Sequence, residues 1–349
     1  MNILSLFTGA GGLDLGFKRA GFKVVWANEY DRTIWKTFRR NFPDTPLDTR
    51  SIQDIPSNEI PSDVVGVIGG PPCQSWSEAG ALRGIEDERG KLFYEYVRVI
   101  KDKRPLFFLA ENVSGILSKR HENAFKNILK RFEGLGYIVS YSLLNAHDYG
   151  VPQDRRRVII VGYREDMKRS FVLSKPCIRK TYLVDAIADL KDAMPVRGGG
   201  EGSDPAVPNH EYMTGGFSSM YMSRNRVRSW NEPSFTIQAG GRHAPIHPQA
   251  PKMVRINSDS FMFVRGKGDL YRRLSVRECA RVQTFPDDFV FEYNSVANGY
   301  KMVGNAVPVK LAEILGKMVC ADVLPTITKG TRYLRRGKIG ETYLMGVAQ

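Results

Sequence analysis

Across the first 165 residues, short continuous apolar runs alternate with stretches in which apolar side chains recur every three or four positions. The runs at 3–7, 24–28, 64–68, 106–111, 138–144 and 158–163 have the length and apolar character of buried strands. Between the fourth and fifth, Phe125, Ile128, Leu129 and Phe132 fall at helical spacing, and Gly134 and Gly136 supply a stop. Strands alternating with amphipathic helices predict a doubly wound α/β domain.

From 165 to 211 the pattern dissolves into a polar stretch broken by Pro176, Pro195, Pro205, Pro208 and a glycine run at 198–200, which predicts linker and loop. From 212 to about 275 the runs are short, basic and interrupted, predicting a small, irregular, partly β unit. Helical periodicity returns at 309–323, predicting a helix that packs back on the first domain, and the basic stretch after Leu324 reads as a disordered end. The expected organisation is a first domain at 1–170 and 300–323, a second with its linker at 171–285, a connection at 286–299 and a basic tail at 324–349.

Charge narrows the function. Lys and Arg total 51 against 37 acidic residues, a net charge of +14 and a pI near 9.6, which predicts a polyanionic partner. Residues 220–285 carry 12 basic and 4 acidic side chains, more than half of the excess, and form the expected nucleic-acid surface. No apolar run approaches the roughly 18 residues of a membrane span. The start lacks the basic segment of a signal peptide, so a cytosolic protein is expected. Cys73, Cys177, Cys279 and Cys320 form no CxxC pair and indicate neither a zinc site nor a disulfide framework. His243 and His247 have helical metal spacing, but Pro245 between them predicts a loop and no metal.

Candidate chemistry gathers at predicted strand ends. Cys73 follows the third run through Gly69, Gly70, Pro71 and Pro72, a stiff turn at the carboxyl edge of the sheet, where open α/β sheets bind ligands. A buried, inert thiol is the alternative. The first run enters Phe7-Thr8-Gly9-Ala10-Gly11-Gly12-Leu13-Asp14, and Glu29 ends the second run about 20 residues on, a pattern suited to an adenosine-containing cofactor. The third glycine of a dinucleotide site is missing, so S-adenosylmethionine fits this turn. Glu111 ends the fourth run, and Gln153-Asp154-Arg155-Arg156-Arg157 precedes the sixth, where alternation turns Arg155 and Arg157 one way and Arg156 the other. Thiol, carboxylate and guanidinium together suit methylation of cytosine at carbon 5: a thiolate added at carbon 6 makes carbon 5 nucleophilic, while the carboxylate meets a ring nitrogen and an arginine the carbonyl oxygen.

In these residues the chain resembles the DNA (cytosine-5)-methyltransferases, with matching segments at 7–12, 70–74, 111–113, 153–158, 277–287 and 304–307 in the family's order. The resemblance implies a Rossmann-like, S-adenosylmethionine-dependent catalytic domain with a small target-recognition domain. It makes Cys73 the nucleophile, Glu111 the partner of the ring nitrogen, and Arg155 and Arg157 the flanking arginines, Arg157 nearer the base. It puts Phe7, Gly9, Gly11, Gly12, Leu13, Glu29, Tyr30, Pro71, Leu92 and Asn305 around S-adenosyl-L-methionine, and makes Thr236 the recognition-domain threonine. One departure is that Arg50-Ser51-Ile52 stands where the family has Gly-Asp-Ile for the adenine amino group, leaving Ser51, Asp48 or Asp54 to substitute.

Residues 76–90, with Gly80, Gly84 and Gly90, read as a loop able to close over DNA, from which the target base must be flipped. Residues 222–233, 239–242 and 247–251 resemble the recognition domain of HaeIII-type members, which modify GGCC. That implies double-stranded DNA as substrate, the inner cytosine of GGCC as target, and Arg224, Arg226 and Arg242 as base-edge readers, because arginine reads guanine bidentately. A phosphate contact is the alternative for each. The expected setting is the bacterial cytoplasm and nucleoid, with a monomeric enzyme and a cognate restriction endonuclease. A transfer-RNA cytosine methyltransferase of the same superfamily is the runner-up. An NAD-dependent oxidoreductase is opposed by the broken glycine pattern and the basic second region, and a non-catalytic nucleic-acid-binding relative is tested by the reactivity of Cys73.

Overall fold

The computed structural model describes residues 1–72, 88–174, 178–191, 193–196 and 207–343, without the side chains of 88–91 and 329–343. Cys73, Cys177 and most of the proposed closing loop lie outside the described residues.

Seven strands form one sheet in the order β3-β2-β1-β4-β5-β7-β6. They are β1 (Asn2–Leu6), β2 (Lys23–Asn28), β3 (Leu47–Asp48), β4 (Gly66–Gly69), β5 (Phe107–Val113), β6 (Tyr137–Asn145) and β7 (Arg156–Arg164). Neighbours from β3 to β5 pair in parallel, whereas β7 runs antiparallel between β5 and β6. All six predicted strands are present; β3, unpredicted, is two residues long and has no period to read.

The helices are α1 (Gly12–Arg19), α2 (Trp35–Asn41), α3 (Glu88–Lys103), α4 (Glu122–Gly134), α5 (Leu183–Ile187), α6 (Val276–Val282), α7 (Val296–Asn305) and α8 (Val309–Tyr343). Strand alternation divides the buried apolar residues between two faces. Ile3, Ile68, Leu109 and Val161 join Phe17 of α1 and Leu311 and Leu315 of α8 in one core. Leu4, Val67, Phe108 and Ile160 join Tyr96 of α3 and Phe125, Ile128 and Phe132 of α4 in the other. The sheet is therefore wound on both sides, as predicted.

Two expectations change. Within 165–211, predicted as loop, Leu183 and Ile187 of α5 are buried in the first core, and the Asp185 carboxylate accepts from the Tyr182 N–H at 2.9 Å to start the turn. A five-residue helix carries too short a pattern to be read from periodicity. The tail predicted as disordered continues α8 to Tyr343 through Pro325, which removes one backbone donor without ending the helix.

A separate small core holds Tyr221, Val227, Ile246, Ala250, Met253 and Tyr271. Around it the chain is irregular. Strand β8 (Met194–Val196) pairs in parallel with β9 (Glu211–Met213), and β10 (Val254–Asn257) forms a hairpin with β11 (Ser260–Met262). His243 ends a single 3-10 turn and His247 lies beyond it, edge-on to Trp230 at 5.2 Å. Among the described residues no group of three candidate ligands could hold a metal, and no helix is long and apolar enough to cross a membrane.

Candidate functional site

The glycine-rich turn leaves β1 in a conformation few residues tolerate: Phe7, Gly9 and Gly11 all have positive φ, at 53°, 57° and 87°. At Gly11 an added Cβ would stand 2.3 Å from the Phe42 ring, so packing and backbone both demand glycine. At Gly9 nothing lies within 4 Å of that position, which leaves open space beside an accessible backbone. The Glu29 carboxylate closes the turn, accepting from Gly9 N–H at 2.9 Å and Asp31 N–H at 2.8 Å. Burial raises its pKa while these two donors oppose the rise. A carboxylate has about four acceptor positions, so two remain for ribose hydroxyls.

The other expected cofactor residues divide. Gly12 packs its backbone against Val307 and Ala306, bringing the end of α7, with the exposed Asn305, to the same turn. Tyr30 is 72% exposed, whereas the Leu13 side chain is buried in the first core and offers only its backbone. Leu92 lies on α3 and packs against the second core. Asp48, a candidate for the adenine contact, is instead gripped by Arg50 at 2.7 Å, which lowers its pKa. Ser51 caps its own short turn, and Asp54 is exposed.

At the carboxyl edge, β5 and β7 bring the catalytic candidates together. Glu111 stands opposite Ile159, and Arg157 lies two positions along the partner strand on the same face. Arg157 Nε is 2.8 Å from Glu111 Oε1, with both side chains nearly nine-tenths buried. The N–H does not point squarely at that oxygen, and Oε1 has no hydrogen-bond donor among the described residues. A Cβ on Gly70 would lie 3.6 Å from Glu111 Oε2, and Asn112 Nδ2 donates to the buried Pro71 carbonyl at 3.0 Å. The turn that leads to Cys73 thus rests on the strand end that bears Glu111. Beside it a cleft of about 440 Å3 is lined by Ser114, Asn145, Asp154, Arg156, Arg157 and Thr236.

Arg155 does not face this cleft beside Arg157, contrary to the alternation argument. Strand β7 begins at Arg156, and Arg155 turns inward, donating to the carbonyls of Ile237, Gly304 and Ala306 at 2.9–3.0 Å. Burial, aided by the charge of Arg157, lowers its pKa. Gln153 joins the same framework, donating to Gln283 at 3.0 Å and accepting from Ile237 N–H at 2.9 Å. Thr236 donates to the Asp154 carbonyl, seating its segment against the start of β7.

The basic surface is smaller than its sequence count. Arg226 is buried, donating to the carbonyls of Tyr221 and Met220 at 2.7 and 3.1 Å and lying over the Tyr221 ring, so its expected role as a base reader does not match its position. Arg273 and Arg277 are likewise buried against carbonyls, and Arg272 pairs with the buried Glu278 at 2.7 Å. The side chains of Arg224, Arg242, Arg265 and Lys267 are exposed and make no hydrogen bond or ion pair with a described residue. Sequence reading assigned no role to Asn112, Asn145 or Asp154; the last two line the cleft, and Asp154 stands in the sequence only as the residue before the arginine block.

The C-5 cytosine-specific DNA methylase family matches residues 1–320. Type II methyltransferase M.MthTI of Methanothermobacter thermautotrophicus is 58% identical over 325 residues, covering 93% of this chain and 98% of that protein. Type II methyltransferase M.FnuDI of Fusobacterium nucleatum is 57% identical, covering 91% and 94%. Among solved structures, a DNA modification methyltransferase encoded within an E. coli prophage aligns with a TM-score of 0.70 at 24% identity, covering 93% of this chain and 99% of its own. DNMT2 of Spodoptera frugiperda gives 0.65 at 19%, covering 91% and 98%; at such identities the likeness speaks for the fold. With that fold, a glycine-rich turn closed by Glu29 and Glu111 paired with Arg157 beneath the turn to Cys73, the chain belongs to the C-5 cytosine-specific DNA methylase family and is a DNA (cytosine-5)-methyltransferase.

Proposed function

We propose that the enzyme methylates the inner cytosine of GGCC in duplex DNA, as the modification partner of a cognate restriction endonuclease, and that it works as a monomer on DNA in the cytoplasm. The observation that carries the chemistry is the Glu111–Arg157 pair: a carboxylate oxygen that meets no hydrogen-bond donor among the described residues, beside a guanidinium, under the turn that precedes Cys73. The target base leaves the stack to reach this edge. The Cys73 thiolate adds at carbon 6, and the ring electrons move to carbon 5, which forms the new bond to the methyl carbon. A base then takes the carbon 5 proton, the electron pair left behind restores the ring double bond, and the thiolate departs. Glu111 meets the ring nitrogen and Arg157 the carbonyl oxygen.

When bound, S-adenosyl-L-methionine would supply an electrophilic methyl group on sulfonium, the sulfur keeping the electron pair of the broken sulfur–methyl bond as a neutral thioether. The residues present suit it: the open space at Gly9 admits a ligand close to the backbone, and Glu29 keeps acceptor capacity for ribose hydroxyls. Phe7, Gly11, Gly12, Tyr30, Pro71, Leu92 and Asn305 complete the proposed site, with Leu13 contributing its main chain. Residues 1–170 and 300–323 are proposed as the catalytic part, and 171–285 as the recognition part with its linker. Within it, Arg224 and Arg242 carry the proposed base contacts.

Random-sequence duplex DNA incubated with enzyme and S-adenosyl-L-methionine, then sequenced after bisulfite conversion, should show protection at the inner cytosine of GGCC. Protection centred on another motif would remove that assignment. Modification of transfer RNA with duplex DNA untouched would favour the runner-up.

A further inference from the structure

One wall of the cleft, Asp154, belongs to an ion pair that the proposed chemistry does not use. Asp154 lies three residues before Arg157. Its Oδ2 accepts from Arg228 at 3.0 Å, and its Oδ1 accepts from Asn145 Nδ2 at 3.2 Å. The main chain closes the same joint: Asp154 N–H donates to the Ser234 carbonyl at 2.9 Å, and Ser234 N–H to the Pro152 carbonyl at 2.9 Å. Arg228 comes from the segment that carries Arg224, lies 4.3 Å over the Phe235 ring and reaches Glu232 with its other amino group at 3.3 Å. One guanidinium is therefore held between two carboxylates and an aromatic face, and one of those carboxylates stands at the start of the strand that bears Arg157. An arginine already paired at both ends has little net charge to offer a phosphate. Its geometry is that of a strut between two parts of the enzyme.

We propose that Asp154 and Arg228 are a positioning pair that holds the DNA-reading segment in register with the catalytic strand end, so that a correctly read target is presented to Glu111 and Arg157. This rests on the reading of 222–242 as facing DNA. The pair touches neither base nor cofactor; it sets the distance between the residues that do.

The test uses the full chain and whichever duplex the wild type methylates, so that a failure of the GGCC assignment leaves it intact. D154A, R228A and D154A/R228A are compared by kcat, by KM for DNA, by methylation at sites one base pair from the preferred one, and by melting midpoint. Each single variant should lower kcat about tenfold with KM within about twofold, and the double variant should be no slower than either single one, as coupled residues behave. Discrimination against near-cognate sites should fall several-fold. D154N, which keeps an acceptor for Asn145 but loses the charge, should fall between wild type and D154A. Three results would overturn the pair: losses that multiply in the double variant, a rise in KM for DNA with a shallower salt dependence in R228A as a phosphate contact would give, or a loss equal at all sites that follows a lowered melting midpoint.

Discussion

The edge of the sheet at Glu111 and the segment proposed to read DNA hold their side chains by different means. At the edge, Glu111 and Arg157 ride on two strands locked by seven registered pairs, and their geometry follows from the ladder. In 217–271 a six-residue core is too small to fix the chain, and buried arginines act as the frame by bonding loop carbonyls: Arg226 to Tyr221 and Met220, Arg273 to Met213, Gly215 and Gly216. Both regions use arginine as scaffold, Arg155 in the first and Arg226 and Arg273 in the second, and leave other arginines free of carbonyls. A basic composition identifies a polyanion binder, yet overstates how much positive charge faces the polyanion.

The largest effect should come from the catalytic edge. Cys73→Ala should lower methyl transfer by about 10⁴-fold or more while the dissociation constants for DNA and cofactor stay within about threefold, because the role proposed for the thiol is covalent addition. Glu111→Gln should slow single-turnover methylation by about 10²- to 10⁴-fold with cofactor affinity near wild type. A loss confined to cofactor affinity would move Glu111 out of the catalytic role.

The contrast between arginines that work and arginines that brace is sharpened by two pairs of variants. Arg155→Met removes the arginine donor from the Ile237 and Gly304 carbonyls, while Ala306 keeps Gln283, and should cost about 2 kcal/mol or more in denaturant unfolding, whereas Arg157→Met should cost activity with little change in stability. Equal stability losses would erase the distinction. Arg224→Ala and Arg242→Ala should each cost about 1 to 3 kcal/mol of discrimination at one base pair with the melting midpoint unchanged. Arg226→Ala should do the reverse, lowering the midpoint while sequence preference persists; a change of preference in that variant would restore it as a reader.

The smallest effect separates the regions by pH. In the segment around the small core, burial lowers the His247 pKa from 6.5 to about 4, so its contribution to stability is full above pH 6.5 and is lost as pH falls toward 4. Under the cofactor turn, burial raises the Asp14 pKa from 3.8 to about 6; its cost is full above pH 6 and is relieved as pH falls toward 3.8. The two oppose each other in one window. Urea midpoints between pH 4 and 7 should fall less steeply with acid in His247→Gln and more steeply in Asp14→Asn, and identical slopes would contradict both assignments.

Much of the first region could be read directly from the amino acids because its elements are periodic. Continuous apolar runs located six of the seven strands, and the spacing of Phe125, Ile128 and Phe132 located α4. The glycine turn and Glu29 were legible because a fixed offset brings a carboxylate from one parallel strand to the turn after its neighbour. What failed was anything set by tertiary contact. Alternation put Arg155 beside Arg157, but alternation holds only inside a strand, and Arg155 precedes one. Nothing in Met222-Ser223-Arg224-Asn225-Arg226 says which arginine is buried; the Tyr221 ring and two carbonyls decide it. The Asp154–Arg228 pair, 74 residues apart in the chain, was invisible for the same reason.

The central claim, that Cys73 attacks a base held by Glu111 and Arg157, is tested most directly with duplex DNA carrying 5-fluorocytosine at the inner position of its recognition site. Fluorine at carbon 5 cannot leave as a proton does, so the enzyme should be trapped after methyl transfer as a covalent adduct that survives denaturation. Peptide mapping should find the DNA on Cys73, and Cys73→Ala should form no adduct. Methylation of ordinary cytosine at a normal rate, with no denaturation-stable adduct on the fluorinated duplex, would contradict the account.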